Sequence, residues 1–448
     1  MTMNHIAIPA HSLMNEADFI FGVATSSFQI EGARHSRETC IWDTFCDQPG
    51  SICDYSNGDR ACEHLERWQD DVDIIASLGV DAYRLSVSWG RVINADGTVN
   101  RPGLDFYVEL VNALNKRNIK VFLTLYHWDL PDWLEQQGGW LNRATAGAFA
   151  HYADVMSKAL GHRVYAWATL NEPFCSAYLG YETGVHAPGL SRRHNGRLAG
   201  HHLLLAHGMA MRVLRRNCPA ARHGIVLNFS TCFAASRHPD DIRAAQQADE
   251  YLFQWFLQPL LTGEYPAVLH CLAENEKPQI QPDDMALIRQ PLDYLGVNYY
   301  SPTVYRSDGK GWFSEVPPRN VPVTDMGWEI SPEAFTTLLV KLHQRYQLPP
   351  VYITENGAAM DDVLENGAVQ DNDRTAYFHS HLNAVNTAME LGADIRGYFA
   401  WSLMDNFEWS FGYTKRFGLV YVDYASQQRI IKQSGLAYRQ FLNDRRDR

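Results

Sequence analysis

Eight short runs rich in Val, Ile, Tyr and Phe recur along the chain, and the stretches between them carry helical spacing. The runs predict strands over Phe21–Ser26, Ala82–Ser88, Lys120–His127, Tyr165–Glu172, Gly224–Ser230, Tyr294–Ser301, Val351–Glu355 and Gly397–Leu403. Several lack the strict polar alternation of a strand with one wet face, which is the pattern of strands covered on both faces in a parallel sheet. Between them, Leu104, Tyr107, Leu110, Val111 and Leu114 fall on one helical face, as do Phe149, Tyr152, Met156 and Leu160. Alternating strands and helices with this strand count predict an α/β fold, a closed (β/α)8 TIM barrel. The competing fold is an open doubly wound sheet. That fold usually carries a Gly-rich phosphate turn after its first strand, and Gly22-Val-Ala-Thr-Ser does not supply one.

At 448 residues the chain exceeds the usual domain, yet barrels with long loops do so routinely. No repeat, low-complexity tract or linker interrupts it, so residues 1–448 are expected to form one catalytic barrel domain. The long segments Pro173–His201, Thr231–Pro291 and Pro302–Pro332 follow strands four, five and six. In a barrel they connect at the C-terminal face, where active sites are built.

A net charge of -12 disfavours nucleic acid and anionic membrane surfaces as partners. No stretch approaches the roughly 20 apolar residues that span a bilayer, and Met1 to Ala17 lacks the pattern of a secretory signal. Cys40, Cys46, Cys53 and Cys62 form a loose group without close zinc-pair spacing; reduced thiols in a cytoplasmic protein are expected, with a disulfide or zinc as the alternative.

The polar residues at strand ends carry the chemistry. Arg84 lies on strand two, His127-Trp128-Asp129 ends strand three and Asn171-Glu172-Pro173 ends strand four. Asn298 and Tyr300 belong to strand six, Glu355-Asn356-Gly357 ends strand seven, and Trp401 lies on strand eight. A barrel brings all of them to one mouth. Two carboxylates on separate strands are what glycoside cleavage requires: one protonates the departing oxygen, the other attacks or stabilises the anomeric carbon. A structural salt bridge is the alternative for either glutamate taken alone.

Taken in order, these motifs resemble glycoside hydrolase family 1 nearly end to end. The resemblance rests on Phe21-Gly-Val-Ala-Thr-Ser-Ser-Phe-Gln-Ile-Glu-Gly32, Tyr83-Arg-Leu-Ser-Val-Ser-Trp89, Leu125-Tyr-His-Trp-Asp-Leu-Pro131 and Thr169-Leu-Asn-Glu-Pro173. It continues through Gly296-Val-Asn-Tyr-Tyr300, Ile353-Thr-Glu-Asn-Gly357 and Trp401-Ser-Leu-Met-Asp-Asn-Phe-Glu-Trp409. It implies a β/α barrel that cleaves β-glycosides with retention of configuration and without cofactor or metal. It implies Glu172 as acid/base and Glu355 as nucleophile, with Arg84 and Tyr300 beside the latter. It places Asn171 at the sugar 2-hydroxyl, Gln29, His127, Glu408 and Trp409 among the hydroxyl-binding groups, Trp401 beneath the ring and Asn298 along the site. Cys175, His186, Trp328 and Phe417 are candidates for the entrance or pocket wall, with plain packing as the alternative.

The expected substrates are unphosphorylated β-D-glucosides, as short oligosaccharides of the kind met in cellulose degradation or as aryl and alkyl glucosides. β-Galactosides and β-fucosides are further candidates. The rivals are a 6-phospho-β-glycosidase, a transglycosidase and a catalytically dead sugar-binding module. Glu408 opposes the phosphate reading by its charge, while Lys415 and Arg416 would favour it only if one turned inward from what reads as a solvated turn. His201-His202 and the His127 motif offer no compelling metal-ligand set.

Overall fold

The computed structural model describes residues 4–446. Its centre is a closed barrel of eight parallel strands: β1 (Ile20–Ala24), β2 (Ala82–Ser86), β3 (Lys120–Tyr126), β4 (Ala166–Asn171), β5 (Arg222–Phe229), β6 (Tyr294–Tyr299), β7 (Val351–Asn356) and β8 (Ile395–Trp401). Each pairs with its sequence neighbours, and β8 closes on β1 with Ile20 opposite Gly397 and Ala24 opposite Trp401. All eight expected strands are present. Most end one or two residues earlier than the sequence suggests, because the chain leaves the sheet where it turns polar side chains toward the barrel axis.

The outer ring is α1 (His64–Ser77), α2 (Arg101–Lys116), α3 (Ala144–Leu160), α4 (Arg193–Asn217), α5 (Trp255–Thr262), α6 (Pro332–Arg345), α7 (Asn372–Glu390) and α8 (Gln433–Arg446). The apolar stripes expected on α2 and α3 are buried along their whole length. Helices of this length are marginal alone in water. Each buried Leu or Phe adds about 1.5–3 kcal/mol relative to exposure, so packing against the strands holds these helices.

Inside the barrel the floor is aromatic. Phe122 meets Phe399 at 4.8 Å and Tyr352 at 5.3 Å between ring centroids, and Tyr352 meets Tyr294 at 5.5 Å. Two strand glycines make the room. A Cβ on Gly22 would lie 2.5 Å from the Phe399 ring, and one on Gly397 would lie 2.6 Å from that of Tyr352. The floor supports the polar layer above it, beginning with the buried Arg84.

The long segments at the C-terminal face have structure of their own. Cys175–Glu182 is a π-helical turn, and α4 begins inside the first segment. Cys232–Ala234, after β5, pairs with Thr303–Ser307, after β6, and that strand pairs in turn with Phe313–Val316. The small sheet so formed makes one wall of the mouth. No helix among the described residues is long and apolar enough to cross a membrane. All eight cysteines are free thiols.

Candidate active site

Both glutamates follow irregularities in the barrel ladder. The register of β7 against β6 shifts between Ile353 and Glu355, and that of β4 against β5 shifts between Ala168 and Asn171. Such a shift re-aims the side chain beyond it. Glu172 also adopts a left-handed backbone with φ 46°, as do Trp128 at 80° and Trp409 at 49°. Non-glycine residues held there cost about 1–3 kcal/mol each and cluster at functional sites.

The two carboxyls have different partners. Glu355 receives Arg84 Nη1 at 2.8 Å and the Tyr300 hydroxyl at 2.6 Å. A cation and a phenol thus compensate its negative charge. Glu172 receives Asn298 Nδ2 at 2.7 Å on one oxygen and Cys175 Sγ at 3.0 Å on the other. Burial, then the charge of Glu355, pushes Glu172 up to about 7, against the pull of Asn298, Cys175 and Arg84. One carboxyl is therefore poised to hold a proton near neutrality while its neighbour is paired with a guanidinium.

A single network ties the pair together. Arg84 Nη2 donates to Asn171 Oδ1 at 2.6 Å, and Asn298 Nδ2 approaches the same oxygen at 3.1 Å. Asn298 Nδ2 thus faces two acceptors, Asn171 Oδ1 and Glu172 Oε1, which fixes the amide and leaves its Oδ1 to accept from the Thr354 hydroxyl at 2.6 Å. With its oxygen so engaged, Asn171 turns its Nδ2 toward His127 Nε2 at 3.1 Å. His127 must accept there, which puts its proton on Nδ1. Burial, reinforced by Arg84, holds this imidazole neutral.

Beyond the glutamates lies a ring-lined end. His127 is nearly parallel to Trp401 (17°) and to Trp409 (14°), each at 6.0 Å. Among buried polar atoms, His127 Nδ1 and Glu408 Oε2 have no partner within the protein. One is a donor and the other a carboxyl oxygen, and both residues line the cavity with the two indoles. Burial, then the charges of Glu355 and Glu172, raises Glu408 to about 8. Parallel apolar faces with unpaired polar atoms at their edges suit a sugar ring, which is apolar on its faces and hydroxylated around its rim.

The cavity has a volume of about 670 Å³. Of the residues singled out in the sequence, all but Gln29, Arg84, Asn171 and Asn298 line it, including Cys175, His186, Trp328 and Phe417. Those four lie buried beside it and hold the lining in place. Gln29 donates to Asn406 Oδ1 at 2.9 Å and to the Phe407 carbonyl at 2.8 Å, bracing the turn that carries Glu408. Thr354 and Asn406 fall within the sequence motifs but carry no role there; only the folded network shows what each holds. The outer aromatic wall, Phe174, Tyr178 and Phe253, was equally illegible.

The expectation of a solvated turn at Lys415 and Arg416 is corrected. Lys415 Nζ pairs with Asp325 at 3.1 Å, and Arg416 Nη1 with the buried Asp405 at 2.6 Å while stacking on Tyr421. Both cations are held away from the cavity by acids. His201 lies between Asp284 and Tyr265, and His202 contacts the Trp140 carbonyl. Among the described residues no group of His, Cys, Asp and Glu side chains forms a metal site.

A parallel eight-stranded barrel that gathers two unequally poised carboxyls at its C-terminal mouth defines a (β/α)8 enzyme of the glycosidase type. The chain matches the model of glycosyl hydrolase family 1 over residues 12–446 and belongs to that family. It is 44% identical over 429 residues to a β-glucosidase of Agrobacterium sp., covering 94% of each chain. It is 42% identical over 456 residues to a bifunctional β-D-glucosidase/β-D-fucosidase of Bifidobacterium breve, covering 95% of this chain and 97% of that one. The solved family 1 β-glucosidase of Thermotoga maritima in complex with isofagomine lactam superposes with a TM-score of 0.93 at 42% identity, covering 96% of this chain and 98% of that one.

Proposed function

We propose that this protein is a retaining β-glucosidase, active on terminal unphosphorylated β-D-glucosides and also on β-fucosides and β-galactosides. Residues 1–448 act as one catalytic domain on small glucosides and short oligosaccharides in the cytoplasm, at the oligosaccharide end of cellulose degradation. The observation that carries this reading is the unequal surroundings of the two glutamates.

Glu355, faced by Arg84 and Tyr300, attacks the anomeric carbon, forming a covalent bond with inversion as the bond to the leaving oxygen breaks. Glu172 delivers its proton to that oxygen, and the aglycone departs. Glu172, now ionised, takes a proton from water, whose oxygen attacks the same carbon from the opposite face and frees Glu355. Two inversions give net retention. Trp401 lies beneath the ring, and His127, Glu408 and Trp409 serve its hydroxyls, with Gln29 bracing the Glu408 turn and Asn171 orienting His127 from behind. The names of the relatives from Agrobacterium and Bifidobacterium support the glucoside and fucoside assignments.

The test is turnover of p-nitrophenyl β-D-glucoside followed by proton NMR. The β-anomer of glucose is expected first. Initial α-glucose would overturn Glu355 as nucleophile, and cleavage of the 6-phosphate alone would overturn the substrate class.

A further inference from the structure

The cavity does not end at the two glutamates. It runs outward along an aromatic wall in which Phe174 and Tyr178 stack at 5.1 Å and 21°, with Phe253 5.7 Å from Phe174. Further lining comes from the accessory sheet, where Glu315 lies in register with Tyr305 and both line the cavity. Phe313 lines it too, two residues away on the same strand and hence on the same face. Glu315 is exposed, and among the described residues its side chain has neither an ionic nor a hydrogen-bonding partner. Burial raises the Tyr178 and Tyr305 hydroxyls, and the charge of Glu315 is among those adding to the effect at both.

Among the described residues, no lysine or arginine lines this cavity. The two cations that act on Tyr178 are already engaged. Arg197 pairs with Glu182 at 3.1 Å, and Arg193 pairs with Glu276 at 3.3 Å while lying over Trp312. Glu315 is thus an uncompensated carboxylate at the outer end of an aromatic passage, on the side where a leaving group would extend.

We propose that Glu315 selects the aglycone by charge, favouring aryl glucosides whose far end carries an ammonium or a hydroxyl and disfavouring those that end in a carboxylate. The inference rests on the β-glucosidase reading above. An aryl group covers the Phe174–Tyr178 face, and its para substituent then projects toward Glu315. An ammonium there meets an opposite charge. A carboxylate meets a like charge with no cation at hand.

Three substrates isolate this effect: the β-D-glucosides of phenols bearing para 2-aminoethyl, 2-hydroxyethyl or 2-carboxyethyl groups. Two methylenes insulate the ring, so the leaving groups are nearly equal in acidity. At low ionic strength kcat/KM should fall in the order ammonium, hydroxyl, carboxylate, by roughly tenfold from first to last. The spread should shrink in salt, since the Debye length is about 8 Å at physiological strength. Glu315→Gln should compress it to about twofold or less, and Glu315→Lys should reverse the order. An unchanged spread in Glu315→Gln, or equal use of the carboxylate and ammonium substrates by the unaltered protein, would overturn the proposal. The same three glucosides titrated calorimetrically into Glu172→Gln should show the same order in Kd. An enzyme inert toward all three would therefore count against the glucosidase reading alone, while Kd decides the role of Glu315.

Discussion

Asn298 donates to Glu172 at 2.7 Å and has no alternative orientation, because the same Nδ2 faces Asn171 Oδ1, which Arg84 holds as an acceptor. The contact favours the ionised carboxyl and so opposes the burial that lifts Glu172 to about 7. With leaving groups that need protonation, activity should fall as pH rises through about 7. Removing the amide in Asn298→Ala should move that limb upward. A hydrogen bond to a charged group contributes about 1.5–3 kcal/mol and one pKa unit corresponds to about 1.4, so a shift on the order of one unit is expected. A pH profile of kcat/KM on an alkyl glucoside checks this. A limb that stays put, or moves to lower pH, would show that Asn298 does not tune Glu172.

The two glutamates should separate in azide rescue. Glu355→Gly should lose activity on the order of 10⁴-fold or more, and external azide should then yield the α-glycosyl azide by direct attack. Glu172→Ala should keep its first step on an activated aryl glucoside, where little protonation is needed. Azide should then intercept the covalent intermediate and give the β-glycosyl azide. NMR of the products decides, and the same anomer from both variants would mean that one role is misassigned.

A 6-phosphate should be poorly accepted. Lys415 and Arg416 are paired with Asp325 and Asp405, and among the described residues no lysine or arginine lines the cavity to receive a phosphate. An unpaired buried charge costs several kcal/mol, so about 100-fold or more in kcat/KM is expected against p-nitrophenyl β-D-glucoside 6-phosphate relative to the plain glucoside. Glu408 holds its proton below about 8 and ionises above it. The discrimination should therefore widen as pH rises through that value, and should shrink in Glu408→Ser.

The aromatic floor gives a prediction about stability. Gly22→Ala would place a methyl 2.5 Å from Phe399 and 2.7 Å from the Ala82 carbonyl, neither of which can withdraw cheaply. Overpacking of this kind costs about 1–3 kcal/mol. The urea midpoint should drop accordingly, with partial recovery in Gly22→Ala combined with Phe399→Leu. A wild-type midpoint in the single variant would show that the floor yields more easily than its packing suggests.

The barrel was legible because burial on both faces writes strands as uninterrupted apolar runs, and the stripes on α2 and α3 name the helices that cover them. Glu172 and Glu355 were legible because polar groups at the ends of such strands have few other reasons to be there. The ladder irregularities before each glutamate were not, since a one-residue shift leaves no mark in composition. Nor were the fates of Lys415 and Arg416. Each depends on an acid remote enough, or buried enough, to be seen only in the folded chain. The outer wall escaped because Phe174 and Tyr178, before and within a π-helical turn, and Glu315 on a short hairpin read as ordinary loop residues.

The ring cluster of Phe122, Tyr294, Tyr352 and Phe399 also sets the traffic of the reaction. It closes the barrel below Arg84, so the route past Glu172 to Trp401 is a cul-de-sac. The terminal sugar goes in first and comes out last. The severed aglycone leaves ahead of it by the same opening, and the attacking water arrives through the space just vacated. A chain of sugars can then be shortened only from its free end, one unit per visit, with the remainder released each time before the next unit can reach the bottom.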